Sequence, residues 1–368
     1  LSRELAHAVQ RGETNYPPSA GMAPLRKAVA EFAERRLGLR TATEDVLITA
    51  GARPLIYGAY RVIADPGEKV VFPVPSWNNV HYCQIAGAVP VAVPCEAKTS
   101  FLPTAAMLRG KLRDARMLVL NSPVNPTGTV FTEQQLADIC DVIIEENELR
   151  LGRDRPLYLL YDQVYWMLTF GVEHVHPVAL RPEMAAYTVY VDGISKSFAA
   201  TGLRVGWGIG PRTVMQQMSD LLTHVGAWAP RPEQVATTTL LGNDKEIDTF
   251  HDGMRGEVLK RLQTLHDGIT DLKKEGFAVD AAIPSGAIYL SGRFQLHGQR
   301  TAQGRLLESD DDVRSYLLKH AGLAAVPFSA FGQSEGSGWF RLSVGAVSLK
   351  DIGELMPRLK EALSKLDS

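Results

Sequence analysis

Asp192-Gly193-Ile194-Ser195-Lys196-Ser197-Phe198-Ala199-Ala200-Thr201-Gly202-Leu203-Arg204 is the stretch on which the reading of this chain turns. It follows Tyr187-Thr188-Val189-Tyr190-Val191, whose β-branched and aromatic residues predict a buried strand. Lys196 then falls just past a strand end, where open α/β sheets hold their ligands. An amine there can form a Schiff base with a carbonyl compound, and Arg204 nearby can clamp a phosphate.

Outward from this run, strand-like and helix-like segments alternate. Val46-Leu47-Ile48-Thr49, Lys69-Val70-Val71-Phe72, Val89 to Val93, Met117-Leu118-Val119-Leu120, Leu157 to Tyr161 and Val205 to Ile209 read as strands. Helical spacing runs through Leu25, Val29, Phe32 and Ala33, with Gly38 as a stop signal, and again from Pro54 to Ile63. Thr132 with Gln135 predicts a capping box that opens a helix reaching Glu146. The alternation predicts an α/β fold with a mostly parallel central sheet covered on both faces.

After about residue 250 the pattern changes. A charged helix over Asp252 to Lys274 leads to short strands near Ile288-Tyr289-Leu290 and Phe340-Arg341-Leu342-Ser343. An amphipathic helix from Leu349 to Leu366 follows. These segments predict a large domain over 40–250 and a smaller α+β domain made of 1–39 together with 251–368. Residues 292–312 are polar with several glycines and read as a loop, a plain surface insertion in preference to a mobile segment.

Composition narrows the function classes. A chain of 368 residues fits about two domains, and 45% hydrophobic content supports sizeable cores. Lys+Arg 39 against Asp+Glu 41 leaves a net charge of −2, which gives no bulk attraction to nucleic acid or an anionic membrane. No apolar run approaches the roughly 18 residues of a membrane span. The charged start lacks a signal peptide's apolar centre and an initiator methionine, so upstream residues are expected. Cys83, Cys95 and Cys140 lack CxxC spacing and predict small buried hydrophobes in a reducing cytoplasm, with no metal site.

Polar residues recur where the predicted strands end. Gly51-Ala52-Arg53 follows the first, at a helix start whose free N–H groups face an anion. Trp77 follows Phe72-Pro73-Val74-Pro75, Asn121 and Asn125 follow Val119-Leu120, and Asp162 closes Leu157 to Tyr161. All of them, with Lys196, converge on one rim of a parallel sheet. Taken singly, each has a structural explanation: a core tryptophan, an Asn-Pro turn, a capping aspartate. Asp162 at the end of an apolar strand needs a cationic or hydrogen-bonding partner to stay ionised, and a protonated pyridine nitrogen would serve. Tyr165, one helical turn on, can reach the same ligand. Arg341 inside an apolar strand needs a carboxylate, from the protein or from a substrate.

These residues resemble the fold-type I pyridoxal-phosphate aminotransferases, specifically the aspartate aminotransferase family of class I and II. The resemblance covers nearly the whole chain. It rests on Asn15-Tyr16, Gly21 with Leu25-Arg26, Gly51-Ala52-Arg53, Pro75-Ser76-Trp77, Asn125-Pro126-Thr127-Gly128, Asp162-Gln163-Val164-Tyr165, Ser195-Lys196 with Arg204, Pro284-Ser285-Gly286-Ala287 and Arg341-Leu342-Ser343. It implies pyridoxal 5′-phosphate as cofactor, bound as a Schiff base to Lys196, which also shuttles the proton of the reaction. Asp162 is implied to pair with the ring nitrogen, Asn125 and Tyr165 to bond the phenolic oxygen, and Trp77 to stack on the ring. Ser195, Arg204 and the Gly51-Ala52-Arg53 backbone are implied to hold the phosphate. Tyr16 is implied to reach the phosphate of a partner subunit, giving a homodimer with shared active sites. Arg341 is implied to fork onto the substrate α-carboxylate, with Asn125 and Trp77 also facing substrate.

Several positions depart from the family pattern. Gly193 stands where a phosphate-binding serine is frequent, Gln163 replaces a glutamate, and Phe328 follows Pro327 in place of a glycine. The N-terminal segment that closes over substrate in many relatives is not seen. Arg231 or His224 could bind a side-chain carboxylate, whereas Trp228 could shape an apolar pocket. The resemblance implies an amino-acid aminotransferase working by a ping-pong mechanism, with aspartate favoured as donor and a 2-oxo acid such as 2-oxoglutarate as acceptor. Two alternatives stay open: β- or γ-elimination on the same fold, and the ligand-sensing aminotransferase-like domain of a transcription regulator.

Overall fold

The structure, a computed structural model, describes residues 1–367. Seven strands build the central sheet: β1 (Val46–Thr49), β2 (Lys69–Val74), β3 (Val89–Pro94), β4 (Ala115–Asn121), β5 (Tyr158–Asp162), β6 (Thr188–Gly193) and β7 (Gly206–Ile209). Their spatial order is β1-β7-β6-β5-β4-β2-β3. Only β7 runs antiparallel to its neighbours. Apart from the exposed edge strand β3, the strands read as largely apolar runs because both faces of the sheet are covered. Successive residues go to opposite layers: Val46 and Ile48 join one core cluster and Leu47 the other, and Leu118 and Leu120 oppose Met117 and Val119.

A second sheet follows, with β8 (Val279–Ala281), β9 (Tyr289–Phe294), β10 (Val326–Pro327) and β11 (Trp339–Ser343) in the order β10-β11-β9-β8, all antiparallel. This sheet has one apolar face. Leu290, Phe294, Phe340 and Leu342 enter a separate core with the helices Asp310–Ala321 and Leu349–Ser364. The alternate residues Tyr289, Ser291 and Arg341 lie on the other face, where Arg341 pairs in register with Ser291.

The structure departs from the sequence expectations in three places. The helix Ala23–Leu37, expected with the small domain, buries Leu25, Val29 and Phe32 in the large-sheet core beside Val46 and Trp207. Its apolar stripe fits the open face next to β1 and β7, which the sequence pattern alone does not locate. The charged helix begins at Asp244, not Asp252, capped by the Asn243 side chain. Ile247 of that helix belongs to the large core and Val258 to Leu272 to the small one, so one continuous helix joins the two. The polar stretch 292–312 is only partly a loop. β9 runs through Phe294 and the next helix starts at Asp310. The residues between are pinned by buried Leu296 and Leu307 and by backbone bonds between Arg300 and Asp367. Glycines and charges hid these apolar anchors. Among the described residues, no helix is long and apolar enough to cross a membrane.

Candidate active site

The carboxyl ends of β2, β4, β5 and β6 open on a cavity of about 490 Å³, closed on one side by Tyr289 and Arg341 of the small sheet. β2 and β4 lie side by side where the strand order reverses, the usual ligand position in such sheets.

Lys196 stands in the helical turn Ile194–Ser197 directly after β6. Its amine is half-buried, 5.8 Å from the centre of the Tyr165 ring. Burial, then the charges of Arg341 and Arg53, hold its pKa below the ordinary lysine value, against the pull of Asp162. The neutral amine so favoured is the nucleophilic form. Asp162 ends β5. Its Oδ1 accepts from the Val164 N–H at 3.1 Å, and its carbonyl accepts from the Asn121 side chain at 2.8 Å. Desolvation pushes its carboxyl up to about 6, although the Val164 N–H and Lys196 oppose this. A cation seated against Asp162 would bring it back down.

Across the cavity, Gly51 takes φ +84 at the start of the helix Ala52–Ile63. Arg204 packs on it, donating to the Ala50 carbonyl at 2.9 Å and the Thr201 carbonyl at 2.7 Å. The positive φ would strain any other residue here, and a Cβ would also displace the Arg204 guanidinium. Ala52, Arg53 and Ser195 line the cavity with Arg204. Free helix N–H groups beside two guanidinium groups make an anion cradle.

The third wall carries Asn125 and Arg341. The Asn121 Oδ1 accepts from the Asn125 N–H at 2.7 Å, and the Asn125 Oδ1 accepts from Arg341 Nη1 at 3.1 Å. Three rings surround the Arg341 guanidinium: Tyr289 at 4.8 Å, Phe331 at 5.0 Å and Trp77 at 5.6 Å. Its Nε is buried without a partner, and no carboxylate pairs with it among the described residues. This guanidinium is therefore open to an incoming carboxylate. Trp77 stands at the cavity mouth, 37% exposed.

The remaining expected residues fall differently. Tyr165 is buried and lines the cavity. Tyr16 lies outside it, 84% exposed, with its ring against Trp228 at 5.6 Å. Arg231 pairs with Glu13 at 2.6 Å, and His224 is exposed; neither lines the cavity. The bulk of Phe328 is absorbed by an edge contact with Phe101 at 5.2 Å. Gly193 has a steric reason: a Cβ there would meet the Val205 carbonyl oxygen at 2.7 Å.

Two residues escaped the sequence reading. Tyr289 places its hydroxyl 2.6 Å from that of Tyr165. The alternation of β9 was the signal that could have found it. Buried Asp192 accepts from the Gly193 N–H at 2.7 Å and from Trp166 Nε1 at 2.8 Å. It ties the end of β6 to the turn that carries Asp162, and burial pushes its carboxyl well above the usual range. A carboxylate closing an apolar strand was its signal.

Comparison with known proteins agrees with this geometry. A family model described as aminotransferase class I and II matches residues 2–359. An aspartate aminotransferase of Rhizobium meliloti (strain 1021) is 29% identical, covering 100% of this chain and 86% of that protein. One from Bacillus sp. (strain YM-2) is 30% identical over 96% of this chain and 84% of its own length. The crystal structure of the aspartate aminotransferase from Rhizobium meliloti superposes with a TM-score of 0.89 at 28% identity, covering 100% of this chain and 88% of that one. An aromatic aminotransferase from Pyrococcus horikoshii OT3 gives 0.86 at 26% identity, covering 99% and 91%.

Proposed function

The chain belongs to the aminotransferase class I and II family, and we propose that it transfers the amino group of an amino acid, aspartate favoured, to a 2-oxo acid such as 2-oxoglutarate. The observation that carries this reading is Lys196, Asp162 and Arg341 around one cavity. The two half-reactions follow one another at the same site, so the order is ping-pong.

The residues present fit pyridoxal 5′-phosphate. Asp162 has no ion-pair partner among the described residues, and a protonated ring nitrogen would provide one. The helix N-terminus after Gly51, with Ser195 and Arg204 lining the cavity beside it, fits a phosphate. When bound, the cofactor supplies an aldehyde that captures amines and a ring that withdraws electrons from the reacting carbon.

The chain's own groups do the rest. Lys196, whose pKa burial and neighbouring cations lower, would hold the aldehyde covalently between turnovers. Once released, the same amine takes the proton from the substrate α-carbon. Asp162 would pair with the ring nitrogen, whose positive charge would favour the ionised carboxylate. Arg341 grips the α-carboxylate, with Trp77, Tyr289 and Phe331 excluding water around it. Asn125 and Tyr165 hold the phenolic oxygen. The cavity carries Arg53, Lys196, Arg204 and Arg341 against the single acid Asp162, and Arg53 has no ion-pair partner among the described residues. Arg53 and Arg204 would answer the phosphate and Arg341 the α-carboxylate, so aspartate as favoured donor is supported by the likeness to aspartate aminotransferases and not by this charge.

Exposed Tyr16 supports a homodimer in which this residue reaches a partner's phosphate. Three free, buried cysteines suit a reducing cytoplasm. The test is a panel of amino acids added to the cofactor-loaded protein. Aspartate is expected to bleach the visible absorbance fastest and to leave pyridoxamine phosphate. Release of ammonia without pyridoxamine phosphate would instead identify an elimination enzyme.

A further inference from the structure

Two groups that would bond the cofactor's phenolic oxygen, Asn125 and Tyr165, belong to the large domain, yet each is gripped from behind by the small sheet. Arg341 Nη1 donates to the Asn125 Oδ1 at 3.1 Å, which leaves the amide N–H₂ as the free end. The Tyr289 hydroxyl lies 2.6 Å from the Tyr165 hydroxyl. Both tyrosines are buried, at 6% and 2% exposure, where they line the cavity. Two hydroxyls at this distance must align head to tail, one donating and the other accepting. Among the described residues neither hydroxyl has another protein partner, and either can be the donor. With an anionic oxygen in front of Tyr165, the Tyr165 O–H would turn to that oxygen and Tyr289 would donate to Tyr165 from behind.

Tyr289 is itself held firmly. The Ser291 hydroxyl donates to the Thr127 carbonyl at 2.8 Å, and the Ser285 hydroxyl donates to the Gly128 carbonyl at 3.0 Å. Gly128, at φ +72, has the Tyr289 carbonyl oxygen where a Cβ would stand. The Asn125 turn and the first residue of β9 thus pack backbone to backbone. The Tyr289 ring also forms one wall of the Arg341 cage, at 4.8 Å.

We propose that Tyr289 is a positioning residue: its hydroxyl makes Tyr165 a donor to the cofactor's phenolic oxygen, and its ring seats Arg341 for the substrate carboxylate. This rests on the cofactor reading given above. The side chain thereby joins the carboxylate anchor to the hydrogen bonding of the reacting ring, from a strand outside the large domain.

The experiment uses the loaded enzyme. Tyr289→Phe keeps the ring and removes the hydroxyl. The pH midpoint of the bound cofactor's visible absorbance is expected to rise by roughly half a unit to one unit, the scale of one hydrogen bond. The kcat is expected to fall roughly 3- to 10-fold on the same scale, with KM for the amino acid within about twofold of wild type. In a double-mutant cycle, adding Tyr289→Phe to Tyr165→Phe should cause no further shift in the midpoint. Melting of the cofactor-free variants checks that they fold; should Tyr289→Phe not fold, Tyr289→Met, which also lacks the hydroxyl, is expected to raise the midpoint to a similar extent, and an unchanged midpoint there overturns the role equally. A folded Tyr289→Phe with an unchanged midpoint overturns the role of Tyr289, as does additivity with Tyr165→Phe. A wild-type protein that takes up no pyridoxal phosphate overturns the cofactor reading itself, and this inference with it.

Discussion

Lys196, Asp162 and Asn121 stand at or just beyond the ends of β6, β5 and β4, whereas Arg341 sits in the middle of β11 and Tyr289 opens β9. Asn121 and Asp162 occupy the last rungs of the ladder and Lys196 lies just past it, and in a sheet covered on both faces such an end is where polar side chains can meet a ligand. The second group needs no strand end, because one face of its antiparallel sheet is turned away from its core. The contrast predicts a division of labour. The large-sheet rim holds the cofactor and performs the proton transfer; the small sheet binds the substrate carboxylate and orients the rim's donors.

The largest effect expected from this division is at Lys196. Lys196→Ala should lower turnover on the order of 10⁴-fold, since proton transfer by a placed group alone contributes about 10²- to 10⁴-fold. The variant should still retain pyridoxal phosphate, read by absorbance after gel filtration, because Arg204, Gly51 and Asp162 are untouched. Turnover close to wild type would remove the rim from the chemistry.

Arg341→Lys probes the other side. A lysine keeps the charge but loses the planar fork that grips both carboxylate oxygens and stacks on aromatic rings. The KM for the amino acid should rise about 10- to 100-fold, a factor of ten for each ~1.4 kcal/mol lost. Cofactor retention should not change. Steady-state kinetics beside an absorbance titration separate the two quantities. Loss of cofactor with an unchanged KM would collapse the division between the sheets.

The same contrast explains what the sequence made legible. Every large-sheet strand could be placed to within a few residues: the inner strands because double burial writes itself as an apolar run, and the exposed edge strand β3 because its valines favour extended backbone. The rim residues then followed from position alone. Arg341 was found only because a charge interrupts Trp339-Phe340-Arg341-Leu342-Ser343. Tyr289 carries no such mark, since an aromatic residue suits a strand whichever face it occupies. Asp192 was hidden for another reason: its partner Trp166 is close only after β5 and β6 have paired. The N-terminal helix was recognised as a helix but assigned to the wrong core, because helical spacing reports a buried face and not what buries it.

The smallest effect is expected at Gly193, and it sharpens the account of the rim. The family pattern suggests that a serine here would add a hydroxyl to the phosphate. The geometry argues otherwise. Gly193 is in extended backbone (φ 163), so its conformation suits any residue. What excludes a side chain is space, since a Cβ would meet the Val205 carbonyl oxygen at 2.7 Å and the Gly206 Cα at 2.8 Å. Gly206, in register with Gly193, is crowded in turn, with the Ala52 nitrogen 2.8 Å from its own would-be Cβ. Two strands and a helix start are therefore packed through glycine, and the anion cradle is made of backbone. Gly193→Ser should destabilise the protein by about 1–3 kcal/mol through overpacking. Calorimetry should record this as a melting temperature lower by a few degrees. Affinity for pyridoxal phosphate should not improve. A variant as stable as wild type that bound the cofactor more tightly would mean that the rim has room for the hydroxyl, and that side chains rather than close-packed backbone set the strength of the cradle.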